Sequence, residues 1–299
     1  MLAAFLTTIL FSISAISGHR TAKLLGGTEA NFSRLCVAAA LLAVYAHTVG
    51  GGLGGPAFVT LFVSGCIGFG VGDMAFFQSL PRLGSRLSVL ITHCLSSPMA
   101  ALMEWMWLGT GLSLAEIGFA LVILAGVALA LAPSEHLHIE RRALFAGLGF
   151  GSLAALCQAV GAVMSRKGFA LAEAAGQPLD GVTVGYQRIL GGVLVGAALL
   201  VWVKRASAST PEPGRWRRAW PLVLVNSLAG PTLGVSLYQW ALKDHPSAHV
   251  LPIVALTPLV IIPFAYHLEG ERPGWRSLAG GAVAVIGAVA LAWVASRAP

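Results

Sequence analysis

The sequence predicts an all-α membrane protein, with ten transmembrane helices arranged as two inverted five-helix repeats. Three observations predict it. Of 299 residues, 57% are hydrophobic and only 10% charged, against roughly 25% charged in a soluble domain. The apolar runs, such as 115–131 and 279–294, are continuous, which suits helices and not the alternating strands of a membrane barrel. The chain also falls into two halves that resemble each other. This composition excludes soluble enzymes, disordered chains, collagen-like fibres and small disulfide scaffolds.

The spans follow from length, since about 20 helical residues cross a bilayer core of about 30 Å. The first, 2–19, has no charge ahead of it and is followed by Arg20 and Lys23. It therefore reads as a retained span and not a cleaved signal. Spans two to five are 31–48, 57–80, 84–108 and 113–132. The polar stretch 133–142 then divides the chain into units 1–139 and 140–299. Spans six to ten are 143–165, 183–203, 219–242, 246–268 and 274–296.

The halves align at about 160 residues. Arg34 in NFSRLCVAAALL stands opposite Arg188 in GYQRILGGVLVG, and Gln78 in FFQSL opposite Gln239 in LYQWAL. Five is an odd number of crossings, so two directly joined copies must insert upside down relative to each other.

The pattern of apolar run, Pro, apolar run, turn and Gly-rich helix occurs twice. It reads Pro98, Gly109-Thr110, Gly118 and Gly126 in the first half, and Pro258, Gly270-Glu271, Gly280, Gly281 and Gly287 in the second. In this the chain resembles the EamA domain of the drug/metabolite transporter superfamily, over essentially its whole length. Thr110 departs from the pattern, because the first turn lacks the carboxylate that Glu271 supplies to the second. The resemblance implies a ten-helix transporter of small metabolites, with amino-acid efflux a common activity. It also implies cytoplasmic termini.

Charge counting points the other way. Connections after odd spans hold thirteen Lys and Arg, and those after even spans, with the tail, hold four. By the positive-inside rule both termini face away from the cytoplasm. The net charge of +7 is thus a matter of membrane orientation and anionic lipid. No basic run is interleaved with aromatics, so nucleic acid is not an expected partner. Cys36, Cys66, Cys94 and Cys157 lie inside apolar runs without CxxC spacing and read as packing residues.

Polar groups inside spans are the functional candidates. On span four, Arg86, His93, Ser97 and Glu104 fall within roughly 40° at 100° per residue. The imidazole of His93 titrates near neutral pH, and with Glu104 it could take up and release a proton. The alternative for Glu104 is contact with interfacial water. Asp73 shares a helical face with Phe69 and Phe77, a setting for an ammonium group, unless a neighbouring Arg holds it in a structural pair. Arg34 and Arg188 could clamp a carboxylate or phosphate. Their alternative is snorkelling or a fixed internal pair.

Gln158, Asn226 and Tyr238 are uncharged candidates within spans, although such amides often only bind neighbouring helices. Glu271 reads as a cap for the last helix. Gly68/Gly72, Gly147/Gly151 and Gly192/Gly196 have the spacing of close helix packing.

The expected substrate-binding or proton-coupling residues are Asp73, Phe77, His93, Ser97, Glu104, Gln158, Arg188, Asn226 and Tyr238. No catalytic residue, metal ligand or cofactor is expected. The expected function is secondary active transport of amino acids or related zwitterions, in the export direction, by alternating access with proton coupling, in the inner (cell) membrane. Partners are a small-molecule substrate, the lipid bilayer and a second copy of the chain. A membrane enzyme acting on lipid, with His136 and His138 the only paired histidines at hand, and a passive channel are the competing readings.

Overall fold

The computed structural model describes residues 2–108, 113–131, 139–206, 214–245, 247–270 and 274–295. The readings for Gly109, Thr110, His136, His138 and Glu271, and for the side chain of Glu104, lie outside the described residues.

The described residues form helices and no strand. In order they are α1 (Leu2–Leu25), α2 (Gly27–Thr48), α3 (Phe58–Gly65), α4 (Asp73–Leu108), α5 (Leu114–Leu131), α6 (Arg141–Ala174), α7 (Gly181–Ala206), α8 (Arg215–Ser227), α9 (Val235–Asp244), α10 (Ser247–Val254), α11 (Thr257–Glu269) and α12 (Trp275–Ala295). Six stretches are long and apolar enough to cross a bilayer, and 117–127, 257–268 and 275–291 are shorter apolar helices. All eight tryptophans are exposed on the outer surface, where their amphipathic rings suit a membrane–water interface.

The breaks have local causes. Gly26, at φ 82°, separates α1 from α2. Inside α4, Gly84 has φ 80° and ψ 169°, and the chain changes direction there. That conformation is open to glycine and strained for other residues, so the third and fourth expected spans part at Gly84. The ninth expected span is broken between α10 and α11. Pro258 lacks an N–H and sits in the first turn of α11, where that loss is harmless. Asp180 starts α7, its Oδ1 accepting from the N–H groups of Val182 at 2.8 Å and Thr183 at 2.9 Å.

Two features were not legible as helix breaks. Cys66–Gly72, between α3 and α4, and Leu228–Gly234, between α8 and α9, are π-helical stretches of seven residues each, 162 positions apart. Both are rich in glycine, and the second contains Pro231. Wide turns of this kind recur at functional sites.

Helices in matching positions of the two halves pack antiparallel. At one end of the α2–α7 pair, the Gly51 N–H donates to Thr183 Oγ1 at 3.1 Å and Gln187 Nε2 donates to the Gly52 carbonyl at 3.0 Å. At the other end, Lys204 Nζ lies 3.9 Å from Glu29 Oε1. In the α5–α12 pair, Gly126 faces Ala284 while Gly287 faces Ile123. Each glycine is a close approach: an added Cβ would fall 2.8 Å from Ala284 Cα and 3.1 Å from Ile123 N. Helix α6 instead runs parallel to the second part of α4, with Gly147 against Leu83 and Gly151 against Ile91.

The connections after odd spans meet at one end of the bundle. There Arg215 Nη2 donates to both carboxylate oxygens of Glu29, at 3.1 and 2.9 Å. Arg86 Nη1 donates to Ser277 Oγ at 2.6 Å, and Arg20 donates to the Leu268 carbonyl. This is the end that holds most of the basic residues.

Candidate functional site

Helix α1 runs through the centre, packing on α2, α4, α8, α9, α10 and α11. It buries Thr7, Thr8, Ser12, Ser14, Ser17 and Thr21. Several of these hydroxyls satisfy themselves on the preceding turn, as Ser12 Oγ does on the Thr8 carbonyl at 2.8 Å. Short polar side chains let neighbouring helices come close, and both π-helical stretches face the space beside α1.

That space is a cavity of about 100 Å³. Its wall comes from α1 (Phe11, Ser14, Ala15), α2 (Arg34), the first π-helical stretch (Gly68, Phe69, Gly72) and α4 (Asp73, Phe76, Thr92, His93). The second half adds Ala154, Gln158, Arg188, Gly230, Pro231, Val235 and Tyr238.

Arg34 forms an ion pair with Asp73, donates from Nε to Asn31 Oδ1 at 3.0 Å, and stacks 4.6 Å over the Phe77 ring. Arg188 donates from Nε to Ser64 Oγ at 3.0 Å and stacks 5.1 Å over Phe69. Ser64 in turn donates to the Gly161 carbonyl at 2.9 Å. Among the described residues no carboxylate lies within ion-pair distance of Arg188. On the other side, His93 Nδ1 and Gln158 Nε2 are hydrogen-bonded at 3.1 Å. Phe11 stacks on His93 at 5.8 Å and meets Tyr238 at 6.2 Å. The hydroxyls of Thr92 and Tyr238 are buried with no hydrogen-bond partner among the described residues.

Each arginine reaches the π-helical stretch of the opposite half. A Cβ on Gly68 would lie 3.0 Å from Arg188 Nη2, and one on Gly230 would lie 2.9 Å from Arg34 Nη1. The backbone contact behind each arginine also recurs. Gly65 presses on the Arg188 carbonyl, and Ser227, at the matching position, donates to the Arg34 carbonyl at 3.0 Å. A glycine on each turn lets the guanidinium lie directly against it.

Five of the residues expected from sequence meet on this wall: Asp73, His93, Gln158, Arg188 and Tyr238. Three do not. Phe77 is fully buried under Arg34, among Ala22, Leu25, Leu80 and Val223, and Phe76 faces the cavity in its place. The lining positions 68, 69, 72, 73 and 76 keep a helical spacing, with Phe76 three residues after Asp73 in α4 on the cavity side and Phe77 turned towards Arg34. Asn226 lies behind the wall, accepting from Ser14 Oγ at 2.7 Å. Ser97 is buried one turn beyond His93 and does not line the space. Arg86, placed on the same stripe by its spacing, turns to Ser277, because the Gly84 break carries the start of that segment to the basic end.

Arg34 lines the cavity, although only Arg188 stood among the expected site residues. Their matching repeat positions were the signal that could have found it. Phe11, Ser14 and Thr92 carried no comparable signal, since such residues in apolar helices usually pack or bond their own backbone.

Residues 145–293, from α6 into α12, match the EamA-like transporter family. One solved crystal structure of a protein superposes with a TM-score of 0.67, over 99% of this chain and 97% of that one, at 17% identity. A likeness at that identity is one of fold. No curated protein matches the sequence.

Proposed function

This chain belongs to the EamA-like transporter family, and from that premise we propose a secondary active transporter of small metabolites, amino acids or related zwitterions among them. It works by alternating access in the inner (cell) membrane, in the export direction. The observation that carries the reading is the cavity walled by both halves of an apolar helical chain, mostly apolar but lined by Arg34, Asp73, His93, Gln158 and Arg188. Its volume is about 100 Å³. One water needs roughly 10–15 Å³ by the same measure, so the space suits a molecule of amino-acid size and not a lipid.

The reading takes ten crossings. The apolar stretch 58–107 is 50 residues long, about 75 Å if straight against a core of about 30 Å. The break at Gly84 turns it into two passes. The antiparallel pairing of α2 with α7, and of α5 with α12, supports inverted repeats. So does the exchange of arginines between π-helical stretches. Gathering most of the basic residues at one end supports a cytoplasmic position for that end.

The two halves are tied across α2 at both ends, by Glu29–Arg215 at the basic end and by Gly51–Thr183 and Gln187–Gly52 at the other. Rocking of one half against the other would release one tie while keeping its opposite, exposing the cavity to each side in turn. His93, hydrogen-bonded through one ring nitrogen, is the group placed to accept a proton as the cavity opens.

Purified protein in liposomes tests this. The expected result is saturable efflux of an amino-acid mixture that responds to a pH gradient and falls in His93→Ala. Linear, non-saturating flux would make the chain a channel, and absence of flux would remove the transport reading.

A further inference from the structure

Resting on the transport reading, we infer that the cavity recognises its substrate by a carboxylate, seated between Arg188 and the hydroxyl of Tyr238, and does not read the substrate's ammonium group by ion pairing. The charge inventory of the wall is two guanidiniums and one carboxylate. Asp73 is the only acidic group on that wall, and Arg34 holds it. The residue expected from sequence to meet an ammonium is therefore already neutralised inside its own half.

Arg188 lies close enough to feel the Asp73 charge but makes no ion pair with it. At the position that matches Asp73, 162 residues on, the second half has Val235, so the duplication supplied no carboxylate for it. Its Nε is fixed by Ser64 and its plane by Phe69. The Nη2 nitrogen lies over the bare backbone of Gly68 and Gly161. A guanidinium held by one edge and one face presents its remaining donors in the fork that matches a carboxylate.

Tyr238 supplies a second donor. It is 5% exposed, lines the cavity and has no hydrogen-bond partner among the described residues. A buried hydroxyl without a partner is costly, and a substrate oxygen would satisfy it. The rings of Phe11, Phe69 and Phe76 leave an apolar space for the rest of the molecule.

Matched ligands separate the two charges. The purified chain in nanodiscs is heated with leucine, with 4-methylpentanoate, which lacks the ammonium, and with 3-methylbutylamine, which lacks the carboxylate. Phenylalanine, 3-phenylpropanoate and 2-phenylethylamine form a second set. The expected result is a raised Tm with the amino acid and the acid of at least one set, and none with either amine. Tyr238→Phe should weaken acid binding roughly tenfold or more while leaving the ligand-free Tm unchanged or raised, because that hydroxyl bonds no described group in the fold. Arg188→Gln should abolish it.

Amines that stabilise as well as acids would overturn the inference. So would Tyr238→Phe binding acids like the parent, or no acid of either set binding. Failure of the transport reading itself is distinct: it requires that liposomes carry no saturable flux of the amino-acid mixture.

Discussion

Replacing Gly65 by alanine tests how tightly the site depends on one backbone contact. A Cβ there would fall 2.5 Å from the carbonyl carbon of Arg188 and 2.8 Å from its Cα, and closer still to the carbonyl oxygen. Non-bonded carbons prefer about 3.5–4.0 Å, so α3 and α7 must part by about 1 Å. A gap of that size forfeits roughly a quarter to a half of the dispersion energy across the contact, and overpacking of this kind costs about 1–3 kcal/mol. Alanine returns roughly 0.5–1 kcal/mol through helix propensity. The net expectation is a destabilisation of about 1–2 kcal/mol. The hydrogen bond from Arg188 to Ser64 should stretch with it and weaken carboxylate binding. Gly149→Ala is the control, since nothing lies within 4 Å of its Cβ position. Thermal unfolding and acid titration of both variants are the assays. If Gly65→Ala matches Gly149→Ala in stability and affinity, the reasoning from close backbone approach is wrong.

Asp73→Asn leaves Arg34 buried without its counter-charge and should cost about 3–5 kcal/mol. Thermal unfolding should show part of that loss recovered in the Arg34→Gln/Asp73→Asn double variant, and a fully additive double variant would deny the pairing. At the basic end, Arg215, Arg217 and Arg218 crowd the positive N-terminus of α8, and Glu29 offsets them. Glu29→Gln, which leaves that positive charge unopposed, should therefore destabilise by roughly 1–2 kcal/mol and Arg215→Gln by less, with a double-mutant cycle showing coupling. Independent effects would mean that the contact does not tie the halves.

Most of the helical organisation was legible because apolar length is a strong signal. The ten expected segments each fall on helix, with a break at Gly84 between the third and the fourth, and six helical stretches among the described residues are long and apolar enough to cross a bilayer. The π-helical stretches were not legible. Gly68 and Gly72 have the spacing of packing residues, and nothing in their composition separates a wide turn from a tight helix contact. Helical spacing from Asp73 allows either Phe76 at i+3 or Phe77 at i+4, and the choice is set by Arg34, which covers the Phe77 ring. Asp73 showed the limit of reading charges singly. Its type and position made it a candidate, but its partner 39 residues earlier became visible only once α2 and α4 were brought together. Arg188 was selected without the reason that now supports it, which is the lack of a matching acid in its own half.

The central claim is that the two halves lie upside down relative to each other, with the cavity between them. Gly54 follows α2 and Ala206 ends α7, at opposite ends of an antiparallel pair. Epitope tags inserted after each, one per full-length chain, can be probed in intact cells and in permeabilised ones. The account predicts that the Gly54 tag is reached from outside and the Ala206 tag only after permeabilisation. Labelling of both tags from the same side of the membrane would contradict it.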